Sequence, residues 1–394
     1  MAGLYIHIPF CKSRCLYCGF YSTTRRELRQ RYVDALCQEM EMRAERREVR
    51  TEIREVRVES QEARTERIET IYLGGGTPSQ LSSLQLQQLF NNIYKVYTVA
   101  SDAEVTMECN PDDLTAEYVA MLSQLPVNRV SMGAQTFSDQ RLQFLHRRHT
   151  TRQTAEAVDR LRNIGIRNIS VDLMYGFPNE TIDEWCYDIS QALALQVEHL
   201  SAYGLMYEEG TPLFRMLQEG RVSEVDEELS RQMYYELKDR LELAGFEHYE
   251  ISNFARRGRV GDGGSFRSRH NSSYWNQTPY IGLGAAAHSY NGQNRQWNPA
   301  DIAQYIAAIE RGEPCYEYEE LNEHTRYNEL VMTRLRTCDG LPLSLLSTTQ
   351  LSYCMKGARP FLSDGLLTLS DDTLRFSRRG LYVSDMVMCE LMMV

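Results

Sequence analysis

Six short apolar runs rich in β-branched residues, at 4–8, 68–73, 104–108, 129–133, 169–173 and 199–207, alternate with stretches whose apolar residues fall at helical spacing, at 84–96, 116–122, 154–163 and 182–195. Repeated strand–helix units of this kind build a parallel sheet with helices packed against it. The period alone fits a partial (β/α) barrel and an open doubly wound sheet equally well. Both architectures put ligands at the C-terminal ends of the strands. Gly74-Gly75-Gly76, Glu108-Cys109-Asn110-Pro111, Gln135 and Asp172 stand at or just past those ends.

After Pro212 the pattern changes to a helical stretch at 225–244, a strand-like run at 246–251 and a Gly/Arg-rich loop at 256–266. From about Asn322 a helix is expected over 326–336, then runs at 341–346 and 361–367, a turn at Asp371-Asp372 and a last helix from Arg379. That order resembles a small α+β winged-helix-like module. A chain of 394 residues exceeds the size at which single cores stop growing, so three parts are expected: a core over 1–215, a linking region over 216–320 packed on it, and a C-terminal domain over 321–394. Within 46–67, a seven-residue repeat running from Arg47 to Arg67 carries six arginines and six glutamates whose charges cancel. Only Val49, Val56 and Ala63 are steadily apolar, too little for a coiled-coil seam, so a solvated low-complexity insertion with no part in chemistry is expected.

Three cysteines, Cys11, Cys15 and Cys18, fall on one loop directly after the first strand-like run. Three thiolates are one too few for a closed zinc site or an ordinary cubane. The spacing points to an iron–sulfur cluster with one iron open to a non-protein ligand, such as an amino acid bound through amine and carboxylate. Tyr17 is placed to cover an adenine ring. The other seven cysteines are scattered singly and read as small buried hydrophobes. A net charge of −11 and a pI near 5.4 argue against nucleic-acid binding. No run approaches the roughly 18 apolar residues of a membrane span, and no signal-like segment opens the chain, so a cytoplasmic location is expected.

The Cys-x3-Cys-x2-Cys run resembles the signature of the radical S-adenosylmethionine (SAM) superfamily. That resemblance implies a partial (β/α)6 barrel, a 4Fe-4S cluster on the three cysteines, and SAM as second cofactor. Tyr5-Ile6-His7-Ile8-Pro9-Phe10-Cys11, Glu108-x-Asn110-Pro111, Ser131-Met132-Gly133-Ala134-Gln135, Leu145-x-Arg147-x-His149 and Asp172-Leu173-Met174-Tyr175-Gly176-Phe177-Pro178 are similar, in order, to the oxygen-independent coproporphyrinogen III oxidase family. The resemblance implies SAM contacts by Tyr5, Gly76, Thr77, Glu108, Gln135, Arg147 and Asp172: carboxylates for ribose hydroxyls and ammonium, Arg147 for a carboxylate, Gln135 for ribose. His146 and His149 read as surface and capping residues.

Two departures select a branch. Phe20 stands where the oxidase carries a fourth cysteine, and the chain begins four residues before Tyr5. Together with His270-Asn271-Ser272-Ser273-Tyr274-Trp275 they resemble the HemW-type haem chaperones. An imidazole is the commonest proximal haem ligand, so His270 is the candidate ligand, with Tyr274 and Trp275 packing on the porphyrin and His288 a weaker second ligand. Gly282-x-Gly284-x-x-Ala287 mimics a dinucleotide fingerprint but lacks the βαβ unit and acidic residue that NAD binding needs. The resemblance implies a haem chaperone that delivers haem to acceptor haemoproteins, with an electron donor for its cluster and no nucleic acid. A peripheral membrane contact and a homodimer are compatible with it. The alternative is a radical SAM decarboxylase of the coproporphyrinogen oxidase type.

Overall fold

The computed structural model describes residues 2–53, 67–258 and 265–393. In the first half β1 (Ala2–Ile8) leads to α1 (Arg29–Ile53), β2 (Arg67–Gly75), α2 (Ser83–Val96), β3 (Thr98–Cys109), α3 (Ala116–Leu122) and β4 (Arg129–Gln135). Then follow α4 (Asp139–Phe144), α5 (Thr151–Asn163), β5 (Asn168–Tyr175), α6 (Ile182–Ala194), β6 (His199–Gly204), α7 (Pro212–Gln218) and α8 (Glu227–Leu243). All six expected strands form, pair in parallel in chain order, and alternate with helices. The first seven-residue repeat forms the end of α1, while 54–66 of the expected insertion lie outside the described residues.

Strand alternation sorts the side chains. Leu4, Ile6 and Ile8 of β1 are fully buried against the helical layer, each worth about 1.5–3 kcal/mol. The opposite face carries Gly3, Tyr5 and His7, whose neighbours across the register are Thr70, Tyr72 and Gly74. Helix starts are set by capping boxes: Ser82 with Gln85, Thr150 with Gln153 and Thr181 with Glu184.

The second half extends this sheet at both ends. β7 (Phe246–Glu250) and β8 (Asn253–Arg256) join antiparallel beside β6. After α9 (Arg269–Trp275), β9 (Tyr280–Leu283) lies parallel on the free side of β1, followed by β10 (His288–Tyr290), β11 (Asn294–Trp297), α10 (Ile302–Glu310) and β12 (Glu317–Glu320). The order is β12-β11-β10-β9-β1-β2-β3-β4-β5-β6-β8-β7, a curved sheet whose edges are β12 and β7 rather than a closed barrel. One apolar core runs from Ala2 to Ile309. Among the described residues no helix is long and apolar enough to cross a membrane.

A second core, including Tyr327, Leu335, Cys354, Leu374 and Leu391, organises the C-terminal part. It contains α11 (Glu323–Leu335), β13 (Leu341–Pro342), α12 (Thr348–Ser363), a hairpin of β14 (Leu367–Ser370) and β15 (Thr373–Phe376), α13 (Arg378–Tyr382) and α14 (Ser384–Leu391). The helices and hairpin follow the expected winged pattern, with α12 as an addition that begins after the run at 341–346 and takes in the first three residues of the run at 361–367. Asp371 and Asp372 both take positive φ, as a two-residue hairpin turn requires.

Candidate cluster and cofactor site

The cysteine loop leaves β1 at Ile8 and is tied down at separated points. Thr23 N–H donates to Pro9 O at 2.7 Å, Cys11 N–H to Thr23 O at 2.9 Å, and Leu16 N–H to Leu145 O at 3.2 Å. Leu16 packs with Leu145, Met174, Phe177, Leu205 and Leu213 in a separate apolar cluster that underpins the loop. The three thiols are free and half-buried. Among the described residues no three His, Cys, Asp or Glu side chains already stand as a metal-holding group. The donor set nonetheless fits a cluster. Burial first, then the neighbouring thiols, pushes Cys18 up to about 11 and raises Cys11, a balance that coordination to iron would reverse. Arg147 Nη1 lies 3.7 Å from Cys15 Sγ and Thr77 Oγ1 lies 3.5 Å from Cys11 Sγ, polar partners for thiolate charge.

Beside the loop, strand ends aim polar groups into the sheet's concave face. Glu108 accepts from Tyr72 Oη at 2.8 Å and Gly75 N–H at 3.0 Å. Burial, with Asp172 adding to it, raises its carboxyl to about 7. Asp172 accepts from Ser131 Oγ at 3.4 Å and is raised by burial to about 6. Arg147 Nη2 donates to Asn110 Oδ1 at 2.7 Å and to Gly133 O at 2.6 Å. Tyr17 lies within electrostatic reach of Arg147, Cys15 and Asp172. Gln135 sits at a register shift in β4 with φ of 66°, a left-handed conformation that turns its side chain back over Gly133 beside Arg147. Gly76 approaches the Ile8 and Pro9 backbone so closely that any side chain there would collide with it.

Tyr17, Gly76, Thr77, Glu108, Gln135, Arg147 and Asp172 are therefore brought to one end of the sheet with the three cysteines, while Tyr5 lies deeper on the same face, its ring stacked 6.2 Å from Tyr72 and 6.4 Å from His270. Sequence reasoning passed over Tyr72, His7, Ser131 and Ser201, which share the strand face with residues it chose. The signal was strand parity: Tyr72 lies two before Gly74, and Ser131 four before Gln135. His7 is held neutral by burial, lowered to about 4, between Tyr5 Oη at 3.1 Å and the Tyr21 carbonyl at 3.0 Å.

The expected haem motif sits elsewhere. α9 plugs the opposite, N-terminal end of the strands, where the Arg269 and His270 N–H groups donate to the Glu104 carboxylate at 3.1 and 3.0 Å. His270 is fully buried and both ring nitrogens are engaged: Nδ1 with Thr70 Oγ1 and Nε2 with Tyr274 Oη, each at 2.8 Å. Tyr72 stacks on the ring at 5.0 Å between centroids, and burial lowers its pKa to about 3. This differs from the expectation of an open haem ligand: no lone pair faces a cavity, and ligation would break two buried hydrogen bonds. Tyr274 packs edge-on against Tyr280, and Trp275 lies under the Arg336 guanidinium at 4.5 Å, so neither is presented to a porphyrin. His288 is a strand residue stacked on Trp297 at 6.0 Å. Gly282 and Gly284 serve close packing, against the His288 backbone and Tyr32 respectively.

Residues 5–190 match the radical SAM superfamily, and residues 321–383 match the HemN C-terminal domain. A protein from Bacillus subtilis (strain 168) named heme chaperone HemW is 36% identical over 345 residues, covering 86% of this chain and 85% of the relative. One of the same name from Mycobacterium tuberculosis (strain ATCC 25618 / H37Rv) is 32% identical, covering 99% and 94%. The solved structure of coproporphyrinogen III oxidase (HemN) from Escherichia coli, described as a radical SAM enzyme, superposes with a TM-score of 0.80 over 99% of this chain and 89% of that one, at 20% identity.

Proposed function

We propose, from the premise that this chain belongs to the HemW family of the radical SAM superfamily, that it is a haem carrier that passes haem to acceptor haemoproteins. The observation that carries this reading is the likeness to proteins named heme chaperones over most of both chains. The 20% likeness to the oxidase is a likeness of fold alone. Cys11, Cys15 and Cys18 would hold a 4Fe-4S cluster, and Arg147 and Thr77 would balance its thiolate charge.

With a 4Fe-4S cluster bound, the three cysteines would leave one iron for the amine and carboxylate of SAM, and the group, reduced by an electron donor, would supply the electron for SAM cleavage. The chain's own groups do the positioning. Glu108, fixed by the Gly75 N–H and the Tyr72 hydroxyl, would accept a hydrogen bond from the N–H of that amine. Asp172 and Gln135 take ribose hydroxyls, Arg147 a carboxylate, and Tyr17 covers the adenine. Burial at the strand ends keeps water from competing for these contacts.

Anaerobic reconstitution scored for iron, SAM cleavage and haem transfer tests the reading. The wild type should bind about four irons, which Cys15→Ala should lose, and should load haemin and release it to an apo haemoprotein. Conversion of coproporphyrinogen III to protoporphyrinogen, with no retention of haemin, would replace the carrier by the decarboxylase.

A further inference from the structure

The plugged position of α9 takes His270 out of reach of a ligand, while the other end of the sheet exposes an apolar surface. Phe20 is 74% exposed on the cysteine loop, Met206 is 62% exposed just past β6, and Tyr203, on the concave face within reach of Asp172, is 42% exposed. The two segments touch: a side chain at Gly19 would run into the Glu208 carboxylate, so the loop bearing Phe20 lies against the loop bearing Met206. The patch has a packed floor, because Leu16, Leu205 and Leu213 beneath it belong to one buried cluster. The cysteine loop that bears Phe20 also carries an exposed arginine. Arg14 donates to the Ser22 carbonyl and has no carboxylate partner among the described residues, whereas neighbouring Lys12 is paired with Asp113 at 2.9 Å.

We propose that this mouth, formed by Phe20, Tyr203, Met206 and Arg14, is where the chain holds haem, a reading that rests on the carrier function proposed above. An aromatic and thioether surface beside an unpaired guanidinium matches a flat apolar macrocycle with anionic propionates. The exposed Met206 thioether would be the soft donor available to the iron, as in methionine-ligated haems. Exposed large apolar groups cost solubility unless covered, and here they cluster beside the cofactor end of the sheet. Haem so placed lies next to the cysteine loop, so cluster and cargo share one edge of the molecule.

The test is haemin titration of the full chain, followed by absorbance, for wild type, Phe20→Asp, Arg14→Glu, Met206→Leu and His270→Ala, with sedimentation of each. Phe20→Asp and Arg14→Glu, both at surface positions, should weaken binding at least tenfold. Met206→Leu should shift the Soret and visible bands, and folded His270→Ala should bind as wild type does. Undiminished binding and unchanged spectra in the three mouth variants would overturn the site while leaving the carrier reading intact. Absence of haemin binding by the wild type would overturn both. A dimer abolished by Phe20→Asp with haemin affinity unchanged would make the patch an interface between copies and overturn the site.

Discussion

Glu108 and Asp172 are two carboxyls buried at neighbouring strand ends, each raised first by desolvation, to about 7 and about 6. A cation delivered between them restores the charged forms. SAM affinity should therefore rise between about pH 5 and pH 7 and level off above. Calorimetry across that range should show Glu108→Gln flattening the upper part of the rise and keeping the part near pH 6. Without ligand the sign for stability is the reverse: a raised folded pKa adds stability below the ordinary value of 4.5 that is lost as pH climbs to about 7. His270 behaves oppositely. Its lowered pKa makes the neutral ring an asset above about 6.5 that is forfeited as pH falls toward 3. His270→Ala leaves the Thr70 and Tyr274 hydroxyls without a partner and opens a cavity, a loss of about 3 kcal/mol readable by urea denaturation.

α9 ties the concave sheet to the C-terminal part. Beyond it, Arg336 at the end of α11 stacks on Trp275 and donates to Glu250 Oε1 at 2.7 Å, Glu250 Oε2 accepts from Asn253 Nδ2 at 2.5 Å, and Asn253 Oδ1 accepts from Ser201 Oγ at 3.0 Å. Arg336→Ala leaves the buried Glu250 carboxylate without its cation, though still bonded to Asn253 and the Ser252 N–H, and should cost about 3 kcal/mol. Limited proteolysis should then release the segment after residue 321 earlier than in the wild type. The contrast between legible and illegible elements follows from the range of their contacts. β1 to β6 and their helices announce themselves because each is long, locally periodic and followed by a motif at its C-terminal end. β9 to β12 are only three or four residues long and owe their existence to distant partners. The plug is hidden for the same reason. Its hydrogen bonds to the sheet join residues 165 to 200 positions apart, so a His-Asn-x-x-Tyr-Trp run reads as a haem ligand until Thr70 and Glu104 are seen around it.

At the scale of the molecule, the sheet seats β1 between β2 and β9, with Ile6 opposite both Leu73 and Leu283. The first strand made is thus completed by one that leaves the ribosome some 277 residues later, an interval of roughly 15 to 55 s at ~5–20 residues per second. Throughout it one flank of the strand that launches the cysteine loop has no hydrogen-bonded neighbour, and α9, the plug that carries His270, has not yet been made. Nascent chains shorter than about 285 residues should accordingly fail to retain iron on reconstitution, whereas chains ending near 320 should retain it; equal iron in both would refute the dependence. Loading of metal is in this sense deferred by the order of translation itself, and the interval is one in which the exposed flank invites pairing with other nascent chains.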